Sequence, residues 1–167
     1  MLDDPHRGAD PQSLRQALGR LPTGVCVVTT TGPSGPAALT VGSFAAVSLS
    51  PPLVLWSLMH EVWPWALFAE CGHYAVHVLG AGQQALSNRF ATPDPDRHRG
   101  LDASVDAWGL PRLDGCLARL ACEVVERLDR GDHRVLLGRV LAVETGQGGE
   151  GLVHERGRYL EPKSGNG

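Results

Sequence analysis

Along most of this chain apolar and polar residues alternate over short stretches, and only a few segments repeat apolar positions at helical spacing. That pattern predicts many strands and few helices. Gly24 to Thr31 is almost entirely Val, Cys and Thr, and Gly32, Pro33, Ser34, Gly35 and Pro36 break it before a second extended run, Ala37 to Ser48. The two runs predict a hairpin. Pro51 and Pro52 stop the second run, Leu53 to Leu58 supplies a third strand and Tyr74 to Leu79 a fourth. Two long runs, Cys116 to Leu128 and Arg134 to Glu144, meet at Asp129 to His133, and a short last strand falls near Arg158 to Leu160.

Asp10 before Pro11 reads as a cap and first helical residue, with Leu14, Ala17, Leu18 and Leu21 following at helical spacing. Pro64 suits the first turn of a helix through Ala69, and Gln83 to Phe90 fits another, with Leu86 and Phe90 four apart on one face. A loop rich in Pro, Asp and Arg covers about Thr92 to Arg112, long enough to be functional or mobile. Mostly antiparallel strands with a few short helices predict a mainly β barrel over residues 10–162, with disordered ends at 1–9 and 163–167.

Composition narrows the partners. A 167-residue chain with 43% apolar and 20% charged residues is an ordinary soluble protein of one domain. The net charge of -3 and scattered basic residues argue against nucleic acid. The apolar run Leu53 to Leu58 is far short of the roughly 20 residues a membrane span needs. Cys26, Cys71, Cys116 and Cys122 fall in strands or at their ends, which suits a reducing cytoplasm better than a disulfide framework.

Chemistry is concentrated between Leu39 and Leu58, where Thr40, Gly42, Ser43 and Ser48 leave amides and hydroxyls uncovered at positions that core strands fill with bulk. Such a run either admits a close-packing neighbour or lets a flat, polar-rimmed ligand lie on the backbone. Pro22, Thr23, Gly24 and Val25 are either a helix stop or a second approach to that ligand. His133, beside Asp132 at a bend, is a solvated turn residue or a rim group tuned by its neighbour. Trp63 and Trp65 stack on a ligand or pack the core, and Cys71, His73 and His77 have a spacing that a metal would accept only if Cys71 were also extended. No Gly-x-Ser-x-Gly elbow, Walker loop or Cys-x-x-Cys occurs. A cofactor-binding barrel remains.

The segments PTGVCVVTT (Pro22 to Thr30), LTVGSFAAVSLSPPLVL (Leu39 to Leu55), YAVHVL (Tyr74 to Leu79), GLPRLDG (Gly109 to Gly115), GDHRVLLGRV (Gly131 to Val140) and RGRY (Arg156 to Tyr159) together resemble the flavin reductase family of FMN-binding split barrels. The resemblance spans roughly residues 12–161. It implies a homodimer of Greek-key split barrels that transfers hydride from NADH or NADPH to FMN or FAD and passes the reduced flavin to a monooxygenase. Carried over by position, Thr23, Gly24 and Val25 lie against the ring or ribityl chain, and Thr40, Val41, Gly42 and Ser43 bond its polar edge. Ser48 and Leu49 line the ribityl and phosphate end, and His133 sits by the nicotinamide as the catalytic residue. The cofactor carries the chemistry, so no carboxylate pair or nucleophile is required.

The chain departs from the family at Gly42, Ala45 and Ala46, where Ser or Thr is usual, at Ser50, where Asp is usual, and at His77, where Asn is usual. After the third strand it places Met59, His60, Glu61, Val62 and Trp63 where the family keeps phosphate-binding residues, so flavin is expected to bind weakly, as a passing substrate. Two alternatives stay open. One is a barrel that has given up flavin and acts as a binding or partner protein. The other is an enzyme acting on an organic substrate in the former flavin cleft, contacted by Trp63, Trp65, His60 or His133.

Overall fold

The computed structural model describes residues 8–160 apart from Pro64; the expected disordered ends, Gly8 and Ala9 excepted, and the helical place of Pro64 lie outside them. In chain order the elements are α1 (Pro11–Leu18), β1 (Thr23–Gly24), β2 (Cys26–Gly32), β3 (Gly35–Val41), β4 (Ala45–Leu49), β5 (Pro52–Met59), α2 (Trp65–Ala69), β6 (His73–Val78), α3 (Gln84–Ala91), β7 (Ala118–Arg130), β8 (His133–Thr145), β9 (Val153–Glu155) and β10 (Arg158–Leu160). Seven strands form one antiparallel sheet in the order β3-β2-β6-β7-β8-β5-β4, and β1, β9 and β10 form a small second sheet.

The large sheet is rolled. Trp56 on β5 and Tyr74 on β6 are three strand steps apart, about 14 Å if the sheet were flat, yet their ring centroids lie 5.8 Å apart. Between them β8 carries Gly138, where a Cβ would stand 2.7 Å from Tyr74 Cζ, so only glycine admits the ring there. Phe68 of α2 closes the core edge-on to Trp56 at 5.5 Å, and Cys26, Val28, Leu39, Val41, Leu58, Val76 and Leu136 fill the rest. A second apolar cluster forms on the other face of β2 and β3, where Val25, Val27 and Ala38 meet Leu79, Leu152, Leu101 and Phe90. Leu86 packs beside Phe90, as their spacing predicts.

The expected single run Ala37 to Ser48 is instead two strands on opposite edges of the sheet. β3 pairs with β2, whereas β4 pairs with β5. The break has a cause: Ser43 Oγ accepts from Ser57 N at 3.0 Å and reaches Ser57 O at 3.3 Å, which draws the chain across to β5. β9 was not expected from the sequence; it is three residues long and joins β1 to β10.

The loop after α3 contains two short 3-10 turns, Pro95–His98 and Leu101–Ala103, and is tied down along its length. His98 Nε2 donates to Ala38 O at 3.0 Å, Thr31 Oγ1 to Gly109 O at 2.8 Å and Thr29 Oγ1 to Pro111 O at 3.1 Å. Asp106 Oδ1 accepts from the Trp108 and Leu110 amides, and Oδ2 from Arg119 at 2.5 Å. Burial alone would raise the Asp106 carboxyl, but these hydrogen bonds outweigh it and hold the group below the usual carboxylate range.

Candidate active site

The start of β1 and β2 and the end of β3 meet α3 and the small sheet around a cleft of about 220 Å³. Thr23, Val25, Thr40, Val41 and Gly42 form one side; Ser87 and Ala91 of α3, His154 of β9 and Tyr159 of β10 form the other. Thr40 Oγ1 donates to Ser87 O at 2.7 Å, Ser87 Oγ and Tyr159 Oη are 2.8 Å apart, and Tyr159 Oη donates to Asn88 Oδ1 at 2.8 Å. This chain of bonds locks α3 to both sheets. His154 meets Tyr159 edge-on at 5.5 Å, giving the cleft an aromatic rim.

Gly42 keeps the cleft open, because a Cβ there would come within 2.9 Å of Thr23 Oγ1. The cleft lining contains neither a carboxylate nor a Lys or Arg. Small hydroxylated residues, two buried valines and aromatic edges suit a flat heteroaromatic ring that offers its own hydrogen-bonding edge, so the residues present fit a flavin. Trp63 and Trp65 do not line this cleft.

Five of the ten predicted site residues therefore come together here: Thr23, Val25, Thr40, Val41 and Gly42. Gly24 and Ser43 are their exposed chain neighbours, and the Ser43 hydroxyl is already engaged with Ser57. Ser48 and Leu49 lie at the far end of β4 beyond a register shift, and Ser48 Oγ accepts from Ser50 N at 3.2 Å. His133 opens β8, paired with Met59 of β5, and its Nδ1 is 2.6 Å from Asp132 Oδ1. Sequence reading missed Ser87, Ala91, His154 and Tyr159; of these only Tyr159 stood in a quoted motif, RGRY.

Beside the His133 turn Asp129 takes Arg134 at 2.7 and 2.9 Å and lies 3.3 Å from His60 Nε2. The Arg134 hydrogen bonds, with that of His60 behind them, bring the Asp129 carboxyl down to about 2. All four cysteines are free thiols; burial pushes Cys71 up to about 11 and Cys26 and Cys122 to about 12, so none is a ready nucleophile. His77 is wholly buried with Nδ1 3.2 Å from Val27 O, and among the described residues no group of three His, Cys, Asp or Glu could hold a metal. No helix among the described residues is long and apolar enough to cross a membrane.

A rolled antiparallel barrel whose cleft of hydroxylated, small and aromatic residues opens between two strand ends and a helix defines the class: a split β-barrel. Residues 18–163 match the flavin reductase like domain family, and the chain belongs to it. It is 46% identical over 134 residues to FMN reductase (NADH) SmoA of Agrobacterium fabrum, covering 80% of this chain and 76% of that protein. It is 37% identical over 155 residues to the flavin-dependent monooxygenase reductase subunit HsaB of Rhodococcus jostii, covering 92% and 80%. Among solved structures, the Streptomyces globisporus NADH:FAD oxidoreductase SgcE6 in complex with NAD and FAD fragments superposes with a TM-score of 0.84 at 33% identity, covering 95% of this chain and 99% of that one.

Proposed function

We propose that this chain is an NADH-dependent flavin reductase that supplies reduced flavin to a partner monooxygenase. The observation that carries the reading is the cleft at Thr23, Thr40 and Gly42, shaped by small uncharged residues in a chain of this family. In the reaction NADH and a proton convert flavin to its dihydro form and leave NAD+; bound flavin supplies the two-electron acceptor. The protein's part is to hold two flat rings together and exclude water. Thr23, Val25 and the segment Thr40 to Gly42 bear on the ring, Tyr159 and His154 bound its rim, and Ala91 leaves the helix side open.

Relatives named as reductase subunits of monooxygenases support the partner, and the proposed place of action is the cytoplasm. A homodimer is proposed on the exposed apolar side chains Val47 and Leu49 of β4 and Leu141 and Val143 of β8, Leu49 being 94% exposed. Ser48, Leu49 and His133 lie outside the cleft, so their proposed roles depend on that second copy or on a substrate reaching beyond it. The test is NADH oxidation by purified protein with FMN, FAD and riboflavin. Flavin-dependent turnover is expected; none at saturating flavin refutes the assignment. Sedimentation velocity checks the dimer, with a monomer at micromolar concentration as the refuting result.

A further inference from the structure

His154 is the middle residue of a row that crosses the small sheet. β9 lies between β1 and β10, and His154 stands opposite Thr23 on one side and Tyr159 on the other. Residues opposed across antiparallel strands share a face, so all three look into the Thr23–Gly42 cleft, which they line. The imidazole is half-buried and packs edge-on against Tyr159 at 5.5 Å, with 69° between the planes. An apolar ring would pack there equally well; what an imidazole adds is two nitrogens and the capacity for positive charge near neutral pH.

The other polar side chains around it are engaged with one another. Tyr159 Oη donates to Asn88 Oδ1 and meets Ser87 Oγ, and Thr40 Oγ1 donates to Ser87 O. Among the described residues the His154 ring nitrogens take part in no hydrogen bond or ion pair, and the neighbouring charges, Glu155 and Arg156, lie 3.5 Å from each other. From β1, β3, α3 and β10 the cleft receives no carboxylate, Lys or Arg. His154 is therefore the one side chain of the lining that can present a positive charge to a ligand, and no other charge in the lining competes with it.

We infer that His154 is a catalytic residue of flavin reduction: its protonated imidazole meets the ring and balances the negative charge that the ring gains with the hydride. The inference rests on the flavin reductase reading and assigns a role within it. Hydride carries one hydrogen nucleus and two electrons from the nicotinamide, which is oxidised to NAD+; the flavin ring, neutral beforehand, is reduced to a singly negative dihydro form. The proton on His154 stays where it is, so charge and atoms balance with no further acid. A positive charge fixed beside the place where negative charge develops stabilises the reduced ring over the oxidised one.

The test compares the affinity of the full chain for oxidised and for dithionite-reduced FMN, by anaerobic titration of the native protein, His154→Phe and His154→Gln. Phe keeps an aromatic ring against Tyr159, Gln keeps a hydrogen-bond donor, and neither carries charge; circular dichroism confirms the fold. Both variants are expected to lose about tenfold more affinity for reduced than for oxidised FMN, the scale of one charge-assisted hydrogen bond. For a two-electron couple that lowers the midpoint potential of bound FMN by about 30 mV. Riboflavin, which has the ring without the phosphate, is expected to show the same shift. A native ratio of the two affinities in either variant, or a shift seen with FMN and absent with riboflavin, overturns the inference. A native ratio alongside intact NADH oxidation removes His154 from the chemistry and leaves the reductase; no flavin binding and no flavin-dependent NADH oxidation by the native protein removes the reductase reading and the inference with it.

Discussion

His77 gives the barrel a built-in acid sensitivity that can be worked through in numbers. Its ring is wholly buried on β6, paired across the sheet with Val27 and Arg119. Burial, and after it the Arg119 charge, brings the imidazole down from 6.5 to about 4. In the unfolded chain the ring takes a proton near 6.5, so below that pH the unfolded state binds the proton that the folded state refuses. Stability therefore falls as pH drops from about 6.5 to about 4, then levels. A gap of about 2.5 units corresponds to about 3 kcal/mol in full, of which about 2 kcal/mol is lost between pH 7 and 4.5. With a urea m-value of about 2 kcal/mol/M the unfolding midpoint drops by about 1 M over that range. In His77→Asn the amide still offers Val27 O a donor but cannot titrate, so most of that slope disappears. If the variant keeps the native slope, the reasoning fails; His98, also lowered by burial, then becomes the source to test.

Other perturbations separate the fold from the site. Asp106→Asn leaves Arg119 buried with Glu144 as its remaining carboxylate and costs about 3 kcal/mol in urea unfolding; a loss under about 1 kcal/mol refutes the buried pair. Because the Asp106 pKa is depressed, its contribution in the native protein is full above about 4 and disappears only as pH falls through the lower folded value, beneath the His77 window. Gly138→Ala overpacks the core against the Tyr74 hydroxyl and Cζ and lowers stability by about 1–3 kcal/mol in thermal unfolding, and Tyr74→Phe restores only part of it, because it removes the nearest obstacle, the hydroxyl, and leaves the ring carbon. Gly42→Ala forces Thr23 Oγ1 aside and raises KM for FMN several-fold while stability stays within about 0.5 kcal/mol; unchanged KM removes Gly42 from the site.

Local chemistry made much of this legible in advance. Turn residues at Gly32 to Pro36 and at Asp129 to Asp132 placed two hairpins, and the expected strands near Leu53 to Leu58 and Tyr74 to Leu79 are found as Pro52–Met59 and His73–Val78. The break at Gly42 to Phe44 was not legible, because Ala37 to Ser48 has extended character throughout and only the Ser43–Ser57 contact divides it. β9 escaped because three residues between glycine-rich segments carry no period. The cleft followed the same rule: Thr23 and Thr40 to Gly42 stood out by their small, hydroxylated chemistry, whereas Ser87, Ala91 and His154 resemble ordinary helix and strand residues until the fold sets them opposite.

What the chain determined by itself was its alphabet of strands and turns, since side-chain alternation and the φ restrictions of Gly and Pro act within a few residues. The roll of the sheet, which lets Trp56 meet Tyr74 over Gly138, came only with tertiary structure, and so did the cleft between the strand ends and α3. Both depend on contacts between residues far apart in sequence, whose free energy exists only once the barrel has brought them together.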